Sequence, residues 1–249
     1  MAAVPVAPPP PSQTPGLSQG ARIVNTFIAP SKTFADLRRS ASWWAPFLLI
    51  VVFSYLFIFS IDRKIGYDQV TRNEIANSPR ADQFDKLPPG QKAQQLKIAT
   101  AITRGFSYAV PLVILLFYVI VAAILMGVFN MGMNAQIPYK IYLAILVYSG
   151  LPGIINAVLG TASMYAGVDP EGFNINNPVA TNVAYFMDRS GNKFLYGMAS
   201  SLDLFIWWGI VLMGIGIATN SKVKRLTAIV VIGALYLLWK LATSALAAR

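Results

Sequence analysis

Residues 202–219, LDLFIWWGIVLMGIGIAT, decide the fold. From Leu204 to Ala218 the stretch carries no charge; Trp207 and Trp208 stand near one end, and Gly209, Gly214 and Gly216 are spread along it. Asp203 sits at its mouth. A helix needs about 20 apolar residues to cross the hydrocarbon of a bilayer, and this run has that length and no polar face to show to water. It reads as a membrane span.

The composition agrees. Of 249 residues, 55% are hydrophobic and only 12% charged. A soluble domain usually carries about 25% charged residues, so a large part of this chain belongs in lipid. There is no cysteine, which removes disulfides and thiolate chemistry, and no histidine, which removes the commonest general base and metal ligand. Asp169, Glu171 and Asp188 lack the spacing of a calcium loop. The sequence therefore calls for no cofactor, no metal and no catalytic residue. The net charge of +10 contains no aromatic-interleaved basic stripe, so nucleic acid is not an expected partner. Anionic lipid headgroups are.

Working outward from 202–219, four more spans are expected. Residues 43–61, WWAPFLLIVVFSYLFIFSI, open on a tryptophan pair and stop at Asp62-Arg63-Lys64. Residues 107–129 carry Pro111 near the start, where a missing amide is tolerated. Residues 141–165 are interrupted at Gly150-Leu151-Pro152-Gly153 and contain Asn156. Residues 226–245 carry Lys240. The fold class is an all-α polytopic bundle of five membrane helices. Between the first two spans, residues 68–77 and 91–103 read as an extramembrane helical hairpin, separated by Leu87-Pro88-Pro89-Gly90. Residues 179–187, in the loop before the fourth span, read as a short surface helix.

Ahead of the first span, residues 1–20 contain six prolines and read as a disordered tail that cannot serve as a signal peptide. Residues 21–42 read as an amphipathic segment lying in the headgroup plane, broken at Pro30. Ile23, Val24, Phe27 and Ile28 share one face, with Arg22 off it; Phe34 and Leu37 share another, opposite Arg38 and Arg39. A helix seated in a partner's groove is the rival reading. The membrane domain proper then covers 43–249.

Two features inside the spans are candidate sites. Lys240 lies about 21 Å into its helix, which brings it to the height of Asp203 if the last two helices pack side by side. An unpaired charge at that depth is costly, so an Asp203–Lys240 ion pair is expected, against a snorkelling lysine and a capping aspartate. The break at Gly150, Pro152, Gly153 and Asn156 is either a packing kink or a broken helix of the kind that lines transport sites. Ala123 with Gly127, and Gly153 with Ala157, have the spacing of helix-packing seams. Arg38, Arg39, Lys140, Lys222, Lys224 and Arg225 flank the spans on one side, against Arg63, Lys64, Arg104 and Arg249 on the other, which puts the N-terminus in the cytoplasm.

Pro30-Ser31-Lys32-Thr33-Phe34 before the first span, Asn177-Pro178 in the loop, and Ser201-Leu202-Asp203-Leu204-Phe205 with Trp207 together resemble the Yip domain family of five-helix membrane proteins, over about residues 22–245. The likeness is to its bacterial branch, which implies the bacterial inner membrane. Eukaryotic members act in vesicle traffic and bind prenylated GTPases or one another. The Asp-Leu-Tyr-Gly-Pro-type motif of that branch is absent here, and bacteria lack prenylated Rab proteins, so GTPase binding is not carried over. Some bacterial members are encoded near export transporters. The resemblance implies a non-enzymatic scaffold or accessory protein that binds lipid and another integral membrane protein, or itself. A small transporter or lipid-moving protein using the broken third helix is the alternative.

Overall fold

The computed structural model describes residues 16–248, and every regular element among them is helical. Helix α1 (Gln19–Ile28) is opened by Ser18, whose hydroxyl accepts from the Ala21 amide, and it ends at Ala29 because Pro30 begins α2 (Pro30–Asp36). Order thus begins within the stretch read as tail; residues 1–15 lie outside the described residues. There follow α3 (Trp44–Lys64), α4 (Tyr67–Ala76), α5 (Ala81–Asp85), α6 (Pro89–Met126) with a π-helical turn at Gly127–Met131, α7 (Tyr139–Ser149), α8 (Pro152–Tyr165), α9 (Lys193–Ala199), α10 (Leu204–Asn220) and α11 (Arg225–Ala247).

Four stretches are long and apolar enough to cross a membrane: α3, α6 with its π turn, α7–α8 as one span of 27 residues, and α11. Helix α10 has 17 residues, roughly 25 Å, and meets α9 at a bend of 52°. Counted as one bent span, the two together bring the number to five. The protein is a polytopic all-α membrane protein. Helix α6 has 38 residues, roughly 57 Å, and so stands well proud of a hydrocarbon layer about 30 Å thick. Its projecting end packs against α4, which is the hairpin expected from sequence. Asp62 at the end of α3 pairs with Arg104 of α6 at 2.8 Å, joining the two helices where their long uncharged runs end.

Helix α7 is the mast of the bundle. Ile141 to Ser149 are all buried, with α6 on one side and α10 on another. Helix α10 also packs along α11, and there Gly214 is obligatory: a Cβ would lie 2.9 Å from the Ile229 backbone nitrogen. The small-residue pairs picked from spacing are not the seams. Nothing lies within 4 Å of where a Cβ on Gly127 or Gly153 would be. Spacing fixes which residues share a face, but not which face meets a neighbour.

Residues 166–201 fold back over α4. The Asn73 amide donates to the Pro170 and Phe173 carbonyls at 2.7 and 3.0 Å, and Glu74 pairs with Arg189 at 2.9 Å. Ile58, Ile61, Tyr67, Val70, Met164 and Phe173 form a second, smaller core beneath. The helix expected over 179–187 is a single 3₁₀ turn, Val183–Phe186. The regular helix of this loop is α9, opened by the Asn192 side chain accepting from the Leu195 amide.

Candidate functional site

Asp203 is the centre of a polar cluster at the end of the bundle where α9 meets α10. Its backbone is extended, and its carboxylate caps α10: Oδ1 accepts from the Phe205 and Ile206 amides at 2.9 and 3.1 Å. Oδ2 accepts from the Thr181 hydroxyl and, at 3.3 Å, from the Asn182 amide. The Leu204 amide donates to the Thr181 carbonyl at 3.0 Å, and the Asn177 and Asn182 side chains face one another. Trp207 and Tyr236 both donate to the Ser201 carbonyl, at 3.0 and 3.3 Å. Asp203 is only 5% exposed. Four neutral donors and the positive end of α10 satisfy its charge without a cation. What this arrangement does is mechanical: it fastens the 177–182 loop to the start of α10. It also gathers Asn177, Ser201, Asp203 and Trp207, which are 30 residues apart at most in sequence but belong to separate motifs.

The expected ion pair is corrected by this geometry. The ion pairs among the described residues join Arg22 and Arg39 to Asp36, Lys92 to Asp85, Arg104 to Asp62, and Arg189 to Glu74. Lys240 instead donates to the Ser200 hydroxyl at 2.9 Å, while Asp203 is turned into its own helix and loop. Equal height on two helices does not make two side chains meet when one of them already has a full set of donors.

At the third-span break, the strand of amides is not left open. The Gly150 amide donates to the Leu146 and Val147 carbonyls at 3.0 and 3.2 Å, and Leu151 to Tyr148 at 3.2 Å. Gly153 and Ile154 then donate to Gly150 and Leu151, each at 3.0 Å. Pro152 falls in the first turn of α8, where its missing amide leaves no bond unmade. Gly209 of α10 presses on the Ser149 carbonyl; a Cβ there would stand 2.9 Å away. Pro152 is buried, Gly153 exposed and Asn156 half-buried, and among the described residues the Asn156 side chain has no hydrogen bond.

The segment before the first span is docked more deeply than expected. Phe34 and Leu37 are fully buried in the main core, and Ile23 and Phe27 pack against it, Phe27 edge-on to Trp208 at 5.7 Å. Arg22, placed off the apolar face by its spacing, is buried at 1% exposure and paired with Asp36 at 2.6 Å, while Val24 and Ile28 face outward. The Arg22 carbonyl accepts from the Thr26 and Thr33 hydroxyls, both at 2.8 Å. Burial raises the Asp36 pKa, but hydrogen bonds from Arg39 and Arg22 outweigh it and hold the carboxyl below its usual range. Arg39 completes that cluster at 3.0 Å from Asp36; Arg38 reaches the end of α10, donating to the Thr219 carbonyl and to Asn220 Oδ1. Periodicity could not find the Arg22–Asp36 pair, because its partners lie on two different helices. Pro30 was the local sign of the turn that joins them.

Outside the membrane, an open groove of roughly 810 Å³ runs between α4–α5 and α6, bordered by Arg72, Phe84, Lys92, Leu96, Lys97 and Arg104. Lys92 and Arg104 are already paired with Asp85 and Asp62. On the opposite side of α6, Ile98, Ile102 and Phe106 are 53%, 66% and 62% exposed.

The model of the Yip1 domain matches residues 24–245, nearly the whole chain. No curated protein and no solved structure matches it. Four to five apolar helices, docked amphipathic helices before the first, and a match of that extent lead to one conclusion: the chain is an integral membrane protein of the Yip1 domain family.

Proposed function

We propose that the protein is a non-enzymatic accessory protein that docks on another integral membrane protein, an export transporter being the class that the family resemblance implies. The observation that carries this reading is the outward face of α6. Ile98 lies six residues beyond Arg104, roughly 9 Å above the level where α3 and α6 leave the hydrocarbon. The headgroup layer is only about 5–7 Å deep on each side, so Ile98 stands at or beyond its edge. Ile98 with Ile102 and Phe106, each more than half exposed on one face at and above that level, form a contiguous apolar stripe of the kind that a partner covers. The same face continues downward into Leu112 and Leu116, 70% and 58% exposed at membrane depth. One stripe therefore offers contact both in lipid and above it, which suits a partner that is itself membrane-embedded. The location we assign is the bacterial inner membrane, which the family resemblance implies, with the N-terminus in the cytoplasm, from the basic residues flanking the spans. The alternative, transport through the third span, has less support, because the amides at its break are spent within the chain.

The test is affinity purification of the tagged full-length protein in mild detergent, comparing wild type with Ile98→Glu/Ile102→Glu. The docking reading expects a stoichiometric membrane protein with the wild type and its loss from the double variant, at unchanged thermal stability. Equal recovery from both would overturn the assignment of this face.

A further inference from the structure

The opposite end of the molecule carries a concentrated charge that no single segment holds. Lys32 lies in α2 and Arg38 just after it; Lys222 and Lys224 stand in the turn between α10 and α11, and Arg225 opens α11. The fold brings these segments together. Arg225 reaches the Ser31 hydroxyl at 3.4 Å across 194 positions of sequence, and Asn220 donates to the Phe34 carbonyl at 3.0 Å. Arg38 donates to the Thr219 carbonyl at the end of α10. All five cations are exposed. Among the described residues, the side chains of Lys32, Lys222 and Lys224 have no hydrogen-bond or ion-pair partner. The single acid within residues 17–43 and 219–226 is Asp36, already held by Arg22 and Arg39. The bundle end thus gathers like charges from segments far apart in sequence, and an anion bound between them would relieve their mutual repulsion.

We propose that this patch binds the phosphodiester headgroup of an anionic phospholipid. The position supports a lipid. Arg225 opens the membrane helix α11, so the turn before it lies in the headgroup layer. Beside the cations, Ile28 and Leu226 are 75% and 72% exposed, offering acyl chains an apolar surface at the same level. Each Lys or Arg held near an anionic surface strengthens binding about fivefold at physiological salt.

Native mass spectrometry of the detergent-solubilised full chain, titrated with phosphatidylglycerol or phosphatidylcholine, tests the assignment. The expected result is preferential retention of phosphatidylglycerol, weakened roughly 25-fold in Lys222→Gln/Lys224→Gln, one factor of five for each charge. Lys92→Gln/Lys97→Gln, at the other end of the molecule, leaves it unchanged. Millimolar inorganic phosphate does not displace the lipid. Equal retention of the two lipids, equal loss in the two variants, or displacement by phosphate would each overturn the proposal. Should the Lys222/Lys224 variant unfold, Lys32→Gln, on an exposed position of α2, carries the same comparison with an expected fivefold weakening.

Discussion

Replacing Asp203 by alanine probes the central claim about the polar cluster at the start of α10. The capping bonds to Phe205 and Ile206 are worth about 1 kcal/mol, the usual loss when an aspartate cap becomes alanine. The bond from the Thr181 hydroxyl goes to a charged acceptor in a buried site and adds about 2 kcal/mol. The Asn182 contact, at 3.3 Å, adds little. The expected loss for Asp203→Ala is therefore about 3 kcal/mol, which in a chain of this size lowers the thermal midpoint by roughly 6–12 °C. Asp203→Asn keeps an oxygen for the cap and is expected to lose only about half as much. Thermal scanning of the detergent-solubilised protein gives the ranking, and a cycle with Thr181→Val isolates the loop bond, with an expected coupling of at least about 1 kcal/mol. Hydrogen exchange of residues 177–183 should rise with the loss while that of α7 does not. The reasoning fails if Asp203→Ala costs under about 0.5 kcal/mol. It also fails if adding Lys240→Ala restores the stability lost in Asp203→Ala, because that is the signature of an ion pair rather than a cap.

Two further outcomes follow from the packing. Gly214→Ala puts a methyl 2.9 Å from a backbone nitrogen of α11, which cannot swing aside, so a loss of about 2 kcal/mol is expected, with Gly127→Ala near zero; thermal scanning of both variants checks it. Acid should release the N-terminal helices: the folded pKa of Asp36 lies below its ordinary value of 3.8, so its contribution is complete above that pH and is lost as pH falls through the lower, folded value. Trp208, in contact with Phe27, reports the release by fluorescence, and Asp36→Asn should show the released signal at neutral pH with no further change in acid.

The membrane class, the helices and most of their limits follow from local sequence, because a lipid solvent demands long uncharged runs and punishes any interruption. The uncharged run after Asp203, the Asp62-Arg63-Lys64 stop and the proline at 152 each act within a few residues of themselves. The capping role of Asp203 was legible only as the rival to an ion pair with Lys240. What tertiary structure alone decided is who meets whom. Arg22 is on the polar side of its own helix, yet it is buried, because Asp36 on the next helix neutralises it there. Lys240 finds Ser200 rather than Asp203 because Thr181, Asn182 and the first turn of α10 have already saturated that carboxylate. The seam runs at Gly214 and not at Gly127, and the basic turn at 222–225 gains its neighbours from α2. Each of these depends on the rotation of one helix about its axis relative to another. Periodicity within a single helix does not encode that rotation; the summed packing of all of them does.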